Sequence, residues 1–409
     1  MWIQAFQLCL LVVADYSLRM PVRTAVPLGW TLSSFYGFYF AALGGVIPYL
    51  ALYFESVGFS PKDIGLLMSA LMFTKIIAPN FWGYFIDRCS DKYTWVQSKT
   101  TQVALFACFG MFFLLNFAQH FWAILVCLFV FSFFWNAVLP QMESIVYNYL
   151  GERRHEYGKI RVWGSVGFIV SVITIGWIIE NYGIQYLLPI ISLLFLILAL
   201  HGFFLKKLPN HTAVSDIHGS FIHVLSPQIL LVLGLGMVTQ MTHAPFYTFF
   251  SIYLEGYGYS KTVLGFLWAF GVIAEVGVFL FAHHLLIRFN IFKLLLCCFA
   301  ITALRWWMLS EFPDDLFWLV LTQGLHAISF GLYHSTASQL INAHFKGQFQ
   351  VRGQALYSSL TFGVGGAIGT LVSGYLWTAL GGQTVFLLCA IVMGIATVIG
   401  IIFSLFLRT

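Results

Sequence analysis

The sequence predicts an all-α polytopic membrane protein with twelve transmembrane helices in two pseudo-symmetric six-helix bundles. Three observations carry this. Charged residues make up 9% of the chain and hydrophobic residues 60%, with a mean hydropathy of +0.87, whereas a soluble domain holds about 25% charge. Apolar runs long enough to cross roughly 30 Å of hydrocarbon as helices recur throughout. One of them, LLPIISLLFLILALHGFFL at 187–205, is apolar on every side, unlike the alternating segments of a membrane β-barrel. Lastly, one connection is written twice. YFESVGFSPKDIGLL (53–67) and YLEGYGYSKTVLGFL (253–267) share Tyr, Glu, Gly, Ser, Gly and Leu at a constant offset of 200 residues.

In chain order, residues 1–30 come first. WIQAFQLCLLVVA is too short to span and lacks the basic start of a signal peptide, so a cytoplasmic extension is expected, with Met20 an alternative initiator. Spans at 31–54 and 62–86 flank the first copy of the repeated loop, and 99–118, 121–147, 158–179 and 184–205 complete a first bundle, 31–205. The longest polar stretch, KKLPNHTAVSDIHGSFIHVLSP, marks a cytoplasmic linker at 206–226. The second bundle, 227–409, holds spans at 227–254, 262–287, 291–310, 315–342, 352–379 and 384–407. Each copy of the loop follows the first span of its half. The halves therefore read as parallel repeats, an arrangement suited to rocking about a central site.

Sidedness follows from Lys and Arg. Connections after even-numbered spans carry Arg88, Lys92, Arg153, Arg154, Lys206, Lys207 and Arg288, while odd-numbered ones hold only Lys62 and Lys261. Both termini are expected in the cytoplasm. This asymmetry also explains the net charge of +5 without nucleic-acid binding. The seven Cys lack CxxC spacing and mostly lie in apolar runs, where they read as small hydrophobes. GVGGAIGTLVSG (363–374) lacks the ending of a phosphate loop and reads as a close helix contact, as do Gly164 and Gly167. No HExxH, GxSxG or metal-ligand spacing occurs, so neither catalytic nor metal-binding residues are expected.

Ionisable residues inside spans are costly and usually functional. At about 1.5 Å per residue, Lys75, Glu275, Arg305 and His326 all fall near the midplane. Lys75 and Glu275 share the offset of the repeated loop, which places them as symmetry mates facing each other across a central cavity. Proton coupling needs a group whose proton affinity changes between access states. Burial and a nearby cation act on a carboxylate in opposite directions, so Glu275, approached or abandoned by Arg305 or Lys75, suits that task. His326 is a second candidate, since imidazole titrates near neutrality. The structural alternatives are a fixed Arg305–Glu275 clamp and a His that only bonds a neighbouring helix.

GYFIDRCSDKYTW (83–95) resembles the loop signature of the major facilitator superfamily, with Gly83, Asp87, Arg88 and Lys92 at its positions. The resemblance makes Asp87 a gating latch and Gly83 a point of close approach; a simple stop-transfer charge cluster is the other reading. PQMESIVYNYLGERRHEYGKIRVWGSVGF (140–168), FFSIYLEGYGYSKTVLGFLWAFGVIAEV (249–276), ALRWWM (303–308) and LHAISFGLYH (325–334) are similar to the phenylpropionate permease group. That group is related in pattern to the lactose and nucleoside proton symporters.

What the resemblance implies is a monomeric symporter of the bacterial inner membrane, driven by the proton gradient without a cofactor. Its partners would be the bilayer, protons and a small organic solute, first an aromatic carboxylate such as 3-phenylpropionate. A sugar or nucleoside, and export on the same scaffold, stay open. By likeness to the lactose symporters, Glu143 and Arg161 hold substrate beside the aromatic Phe168, and Arg305 and His326 belong to the proton-coupling region. Phe168 stands where that pattern has Trp, Val272 where it has an acid, and Ser329 where an acid follows the His. These departures speak against a galactoside. For a carboxylate the expected cations are Lys75 and Arg161, with Phe38, Tyr39, Trp163, Phe168, Phe246, Tyr247 and Trp268 as candidate aromatic walls. A membrane enzyme or a silent sensor on a transporter scaffold is the rival class, and solute accumulation by purified protein separates them.

Overall fold

In hydrocarbon, backbone N–H and C=O groups find partners only within the chain, so runs of Leu, Ile, Phe and Ala settle as helices. The computed structural model describes residues 26–90, 96–205, 225–346 and 349–406. Most of the expected linker, the first 25 residues and Lys92 lie outside them. The first six helices are α1 (Val26–Ser56), α2 (Pro61–Ser90), α3 (Val96–Leu115), α4 (Phe121–Leu150), α5 (Tyr157–Asn181) and α6 (Leu187–His201). Then come α7 (Pro227–Gly256), α8 (Lys261–Arg288), α9 (Ile291–Glu311) and α10 (Leu316–His344). A last run, Gln350 to Phe406, is divided by Gly381 (φ 79°, ψ 165°) into α11 (350–380) and α12 (382–406).

Ten helical stretches among the described residues are long and apolar enough to cross a membrane. Two of these, Phe121–Asn181 and Arg352–Leu405, contain 61 and 54 residues, too many for one crossing at about 1.5 Å each. They break at Arg153 and Gly381, which accommodates the twelve spans read from the sequence. Outward faces carry exposed Leu193, Ile391, Ile395 and Ile402, a surface matched to lipid tails. Trp122, Tyr182 and Tyr186 are exposed near one end, as interfacial aromatics are.

The repeated loop is duplicated down to its hydrogen bonds. Gly58 N–H donates to Glu55 O at 2.9 Å, and Gly258 N–H donates to Glu255 O at 2.9 Å. Ser60 and Ser260 each accept at Oγ from the N–H three residues on, Asp63 at 3.2 Å and Val263 at 3.3 Å, so each caps the helix it begins. Both turns need a left-handed residue, and Gly58 (φ 94°) and Gly258 (φ 85°) supply it. Gly183 and Gly381 have positive φ as well. Four helices that run toward the loop-bearing end, α1, α5, α7 and α11, therefore stop at a left-handed glycine.

At that end the halves meet backbone to backbone. A methyl group on Gly65 of α2 would lie 2.8 Å from Gly374 Cα of α11, and one on Gly265 of α8 would lie 2.7 Å from Val172 O of α5. Gly65 and Gly265 are themselves symmetry mates. Each contact carries a further interaction: Lys62 Nζ lies 5.0 Å from the Tyr375 ring centroid at the first, and at the second Glu180 Oε2 on α5 accepts from the Lys261 backbone N–H, 2.6 Å away, at the start of α8. A carboxylate there is favoured by the helix dipole, and Lys261 Nζ also pairs with Glu255. The mate of Lys261 is Pro61, which has no N–H to give. Within the halves, the expected close contacts are present: a methyl on Gly167 would run into Gly37 O of α1, and one on Gly369 would lie 2.6 Å from Met241 Cα of α7.

Gly265→Leu is expected to wedge α8 from α5 and expose the cavity to the loop-bearing side. A single cysteine replacing Phe168 in a Cys-free background should then react with an impermeant maleimide about tenfold faster, the response to a tilt of about 1.4 kcal/mol between access states. An unchanged rate would show that this contact does not hold the end shut.

Candidate functional site

Because the halves touch closely at one end, they part toward the other. A cavity of about 860 Å³ lies between α1, α2, α4 and α5 on one side and α7, α8, α10 and α11 on the other. It reaches Tyr157 and Gly158 at the start of α5 and Phe279 and Leu280 late in α8, away from the repeated loops. Lys75, Glu143, Arg161, Phe168, Glu275 and His326 all line it. Arg305 does not.

Helical spacing builds the first-half wall. Tyr157 and Arg161 are four residues apart on α5 and so share a face. The Tyr157 hydroxyl donates to Glu143 Oε1 on α4 at 3.2 Å. The Arg161 guanidinium lies 4.0 Å from the Phe40 ring centroid and 5.5 Å from that of Tyr36. Gly164 makes room one turn later, since a methyl there would come 2.7 Å from Arg161 Nη1. On the other wall, Glu275 leans on α10 where it lacks a side chain: a methyl on Gly331 would meet Glu275 Cγ at 2.9 Å. Gly331 belongs to a π-helical stretch, Ala327–Leu332, a form often found at functional sites.

Among the described residues, none of Lys75, Glu143, Arg161 and Glu275 forms an ion pair. Arg161 is near enough to act electrostatically on both Glu143 and Glu275, the second across the gap between halves. Lys75 and Glu275 share the cavity without an ion pair between them. Nor does Arg305 clamp Glu275. Fully buried, it donates from Nε to Thr322 O at 2.8 Å and from Nη1 to Ser329 Oγ at 3.4 Å, and it stacks 4.3 Å from the rings of Phe246 and Trp306. Ser329, standing where the lactose pattern has an acid, thus serves Arg305.

Of the candidate aromatics, Phe168, Phe246, Tyr247 and Trp268 line the cavity and Phe38, Tyr39 and Trp163 do not. Tyr39 stacks instead on Trp135, with ring centroids 3.9 Å apart. Phe40, Gln323 and Phe330 join the lining without having been singled out in the sequence. Gln323 had a usable signal, lying one turn before His326 on the same helix face; Phe40 was one aromatic among many. At the signature loop, the Asp87 side chain is outside the described residues, and Arg88 bonds the Tyr84 hydroxyl. Among the described residues the close approach expected at Gly83 has no partner: a methyl there would meet nothing within 4 Å. This end of α2 stands clear because the halves diverge here.

The family described as "MFS_1 like family" matches residues 29–388. The chain is 28% identical over 347 residues to a "Probable 3-phenylpropionic acid transporter" of Escherichia coli (strain K12), covering 84% of this chain and 89% of that protein. It is also 28% identical over 351 residues to a "Maltose permease" of Geobacillus stearothermophilus, covering 84% and 86%. Among solved structures, a mutant form of the nucleoside transporter NupG superposes with a TM-score of 0.81 at 18% identity, covering 91% of this chain and 98% of that one. That likeness shows the fold alone.

The Arg161–Phe40 stack can be measured directly. A double-mutant cycle of Arg161→Gln and Phe40→Leu, read by unfolding in detergent, should give a coupling of about 0.5–1 kcal/mol. Simple additivity would show that the two side chains do not meet in solution.

Proposed function

The chain belongs to the MFS_1 like family of membrane transporters, and from that premise we propose that it imports a small aromatic carboxylate together with a proton by alternating access. The observation that carries this reading is a cavity that combines flat aromatic walls with cations free of ion pairs among the described residues, Lys75 and Arg161 in the lining and Arg305 behind it. A phenyl ring suits the walls and a carboxylate the positive charge. 3-Phenylpropionate is the first solute to test, given the E. coli relative.

In this reading bundles 31–205 and 227–409 rock about the cavity in the bacterial inner membrane, as a monomer with both termini in the cytoplasm. The Lys and Arg asymmetry of the connections then makes the open end cytoplasmic. Glu275 carries the proton, and no cofactor is needed. Arg161 sits on the opposite half, so rocking changes its distance from Glu275 and with it that carboxylate's proton affinity. The equally similar maltose permease supports a second reading, a neutral sugar in the same cavity.

In proteoliposomes, uptake of labelled 3-phenylpropionate should rise with an inward proton gradient, and Glu275→Gln should abolish that gradient-driven accumulation. Uptake that ignores the gradient would remove the proton from the scheme. Maltose or nucleoside uptake in its place would replace the substrate.

A further inference from the structure

Eleven buried side-chain N or O atoms among the described residues have no hydrogen-bond partner, and six belong to one cluster beside the cavity. They are His243 Nε2, Arg305 Nη2, Trp306 Nε1, both amide atoms of Gln323 and His326 Nδ1. The five residues come from α7, α9 and α10 and are at most 6% exposed. His243 lies 4.9 Å from the Trp306 ring and 6.5 Å from that of His326, centroid to centroid. Gln323 and His326 form part of the cavity wall; the other three stand behind it.

A buried polar group without a partner, and above all a buried cation without a counter-ion, opposes folding. Four such residues around one guanidinium are hard to account for as packing. From this cluster we infer that Gln323 and His326, backed by Arg305, receive the anionic end of the transported solute. The inference rests on the aromatic-carboxylate reading and gives the carboxylate a different seat from the two cations in the lining.

Charge decides between those seats. Lys75 and Arg161 share the cavity with Glu143 and Glu275, so these four formal charges cancel. Arg305 has no carboxylate at ion-pair distance among the described residues, and it acts electrostatically on Tyr247 and His326, both in the lining. The surplus positive charge therefore lies behind Gln323 and His326. The unpartnered atoms of Gln323 and His326 are buried in this state, so a carboxylate there accepts from the Gln323 amide and from His326, protonated at Nδ1, once those side chains turn toward the cavity. Its ring then meets Phe246 and Trp268, tilted against each other with centroids 4.8 Å apart, with Tyr247 and Phe330 beside them. Gly271 opens the approach, because a methyl there would come 3.3 Å from Gln323 Oε1.

The test compares binding of 3-phenylpropionate with that of its neutral amide, 3-phenylpropanamide, to the purified full chain by calorimetry. Wild type should prefer the acid by about tenfold or more. That preference should collapse toward unity in Gln323→Ala and Arg305→Met, and largely survive in Arg305→Lys, which also guards against loss of fold. A preference kept in both Gln323→Ala and Arg305→Met, or lost only in Lys75→Met, overturns the inference and leaves the substrate class standing. Wild type binding neither compound, or binding both alike, overturns the substrate class and this seat with it.

Discussion

The two halves are held together at one end by contacts that only glycine permits, and the cavity is a consequence of those contacts. Lipid tails are as apolar as the helices, so no hydrophobic drive pulls helices together inside a bilayer. Association has to come from packing and hydrogen bonds. Gly65 against Gly374 and Gly265 against Val172 bring backbones together across the boundary, and Glu180 adds a charged bond to the α8 N-terminus. Because these contacts lie near the repeated loops, the remaining length of each half is free to diverge. The midplane charges thereby line a cavity instead of facing lipid.

That placement explains how the charges are tolerated. An ionisable side chain at the centre of a membrane helix costs about 2.5–3.5 kcal/mol on insertion scales, and more if it faces hydrocarbon. Lys75, Glu143, Arg161 and Glu275 all border the cavity and leave one another unpaired. A locked ion pair would stabilise one access state at the expense of the other. Arg161 instead sits within electrostatic reach of a carboxylate on each half, so any relative motion of the halves alters its balance. Arg305 is handled differently, sealed among rings, a carbonyl and Ser329.

The frame was legible because it depends on local chemistry. Apolar length gives the helices, and the repeated Glu-x-x-Gly-x-Ser pattern gives two identical turns with the same cap and the same left-handed glycine. The cavity lining was legible at Lys75, Glu275 and His326, since polar residues within apolar runs stand out, and at Glu143, Arg161 and Phe168 through the likeness to the lactose symporters. Their partners were not. Whether Glu275 meets Lys75, Arg305 or Arg161 depends on helix rotation and on how far the halves have parted, neither of which periodicity encodes. The seat for Glu275 at Gly331 depends on a π-helical register that no residue type announces. Aromatic residues were too common, 18% of the chain, for composition to separate wall from core.

Duplication explains the frame, and divergence between the copies marks where the two halves take different tasks. Structural positions are kept: Gly58 and Gly258, Ser60 and Ser260, and Gly65 and Gly265 serve the same purposes in both halves. Charged positions are not. Lys75 and Glu275 occupy equivalent sites with opposite charge. Lys261 offers an N–H to Glu180 where its mate Pro61 has none, and Glu180 itself corresponds to Thr378 at the offset that relates Gly183 to Gly381. One boundary contact is therefore latched by a charged hydrogen bond, whereas its mate has Lys62 lying over the Tyr375 ring. Two identical halves would open and close symmetrically and offer a solute the same surface from both sides. By breaking the symmetry in charge at the centre and in bonding at the rim, the chain gives its cavity a polarity: the charges of the lining balance across the gap, and the cation left over lies behind the aromatic wall of the second half.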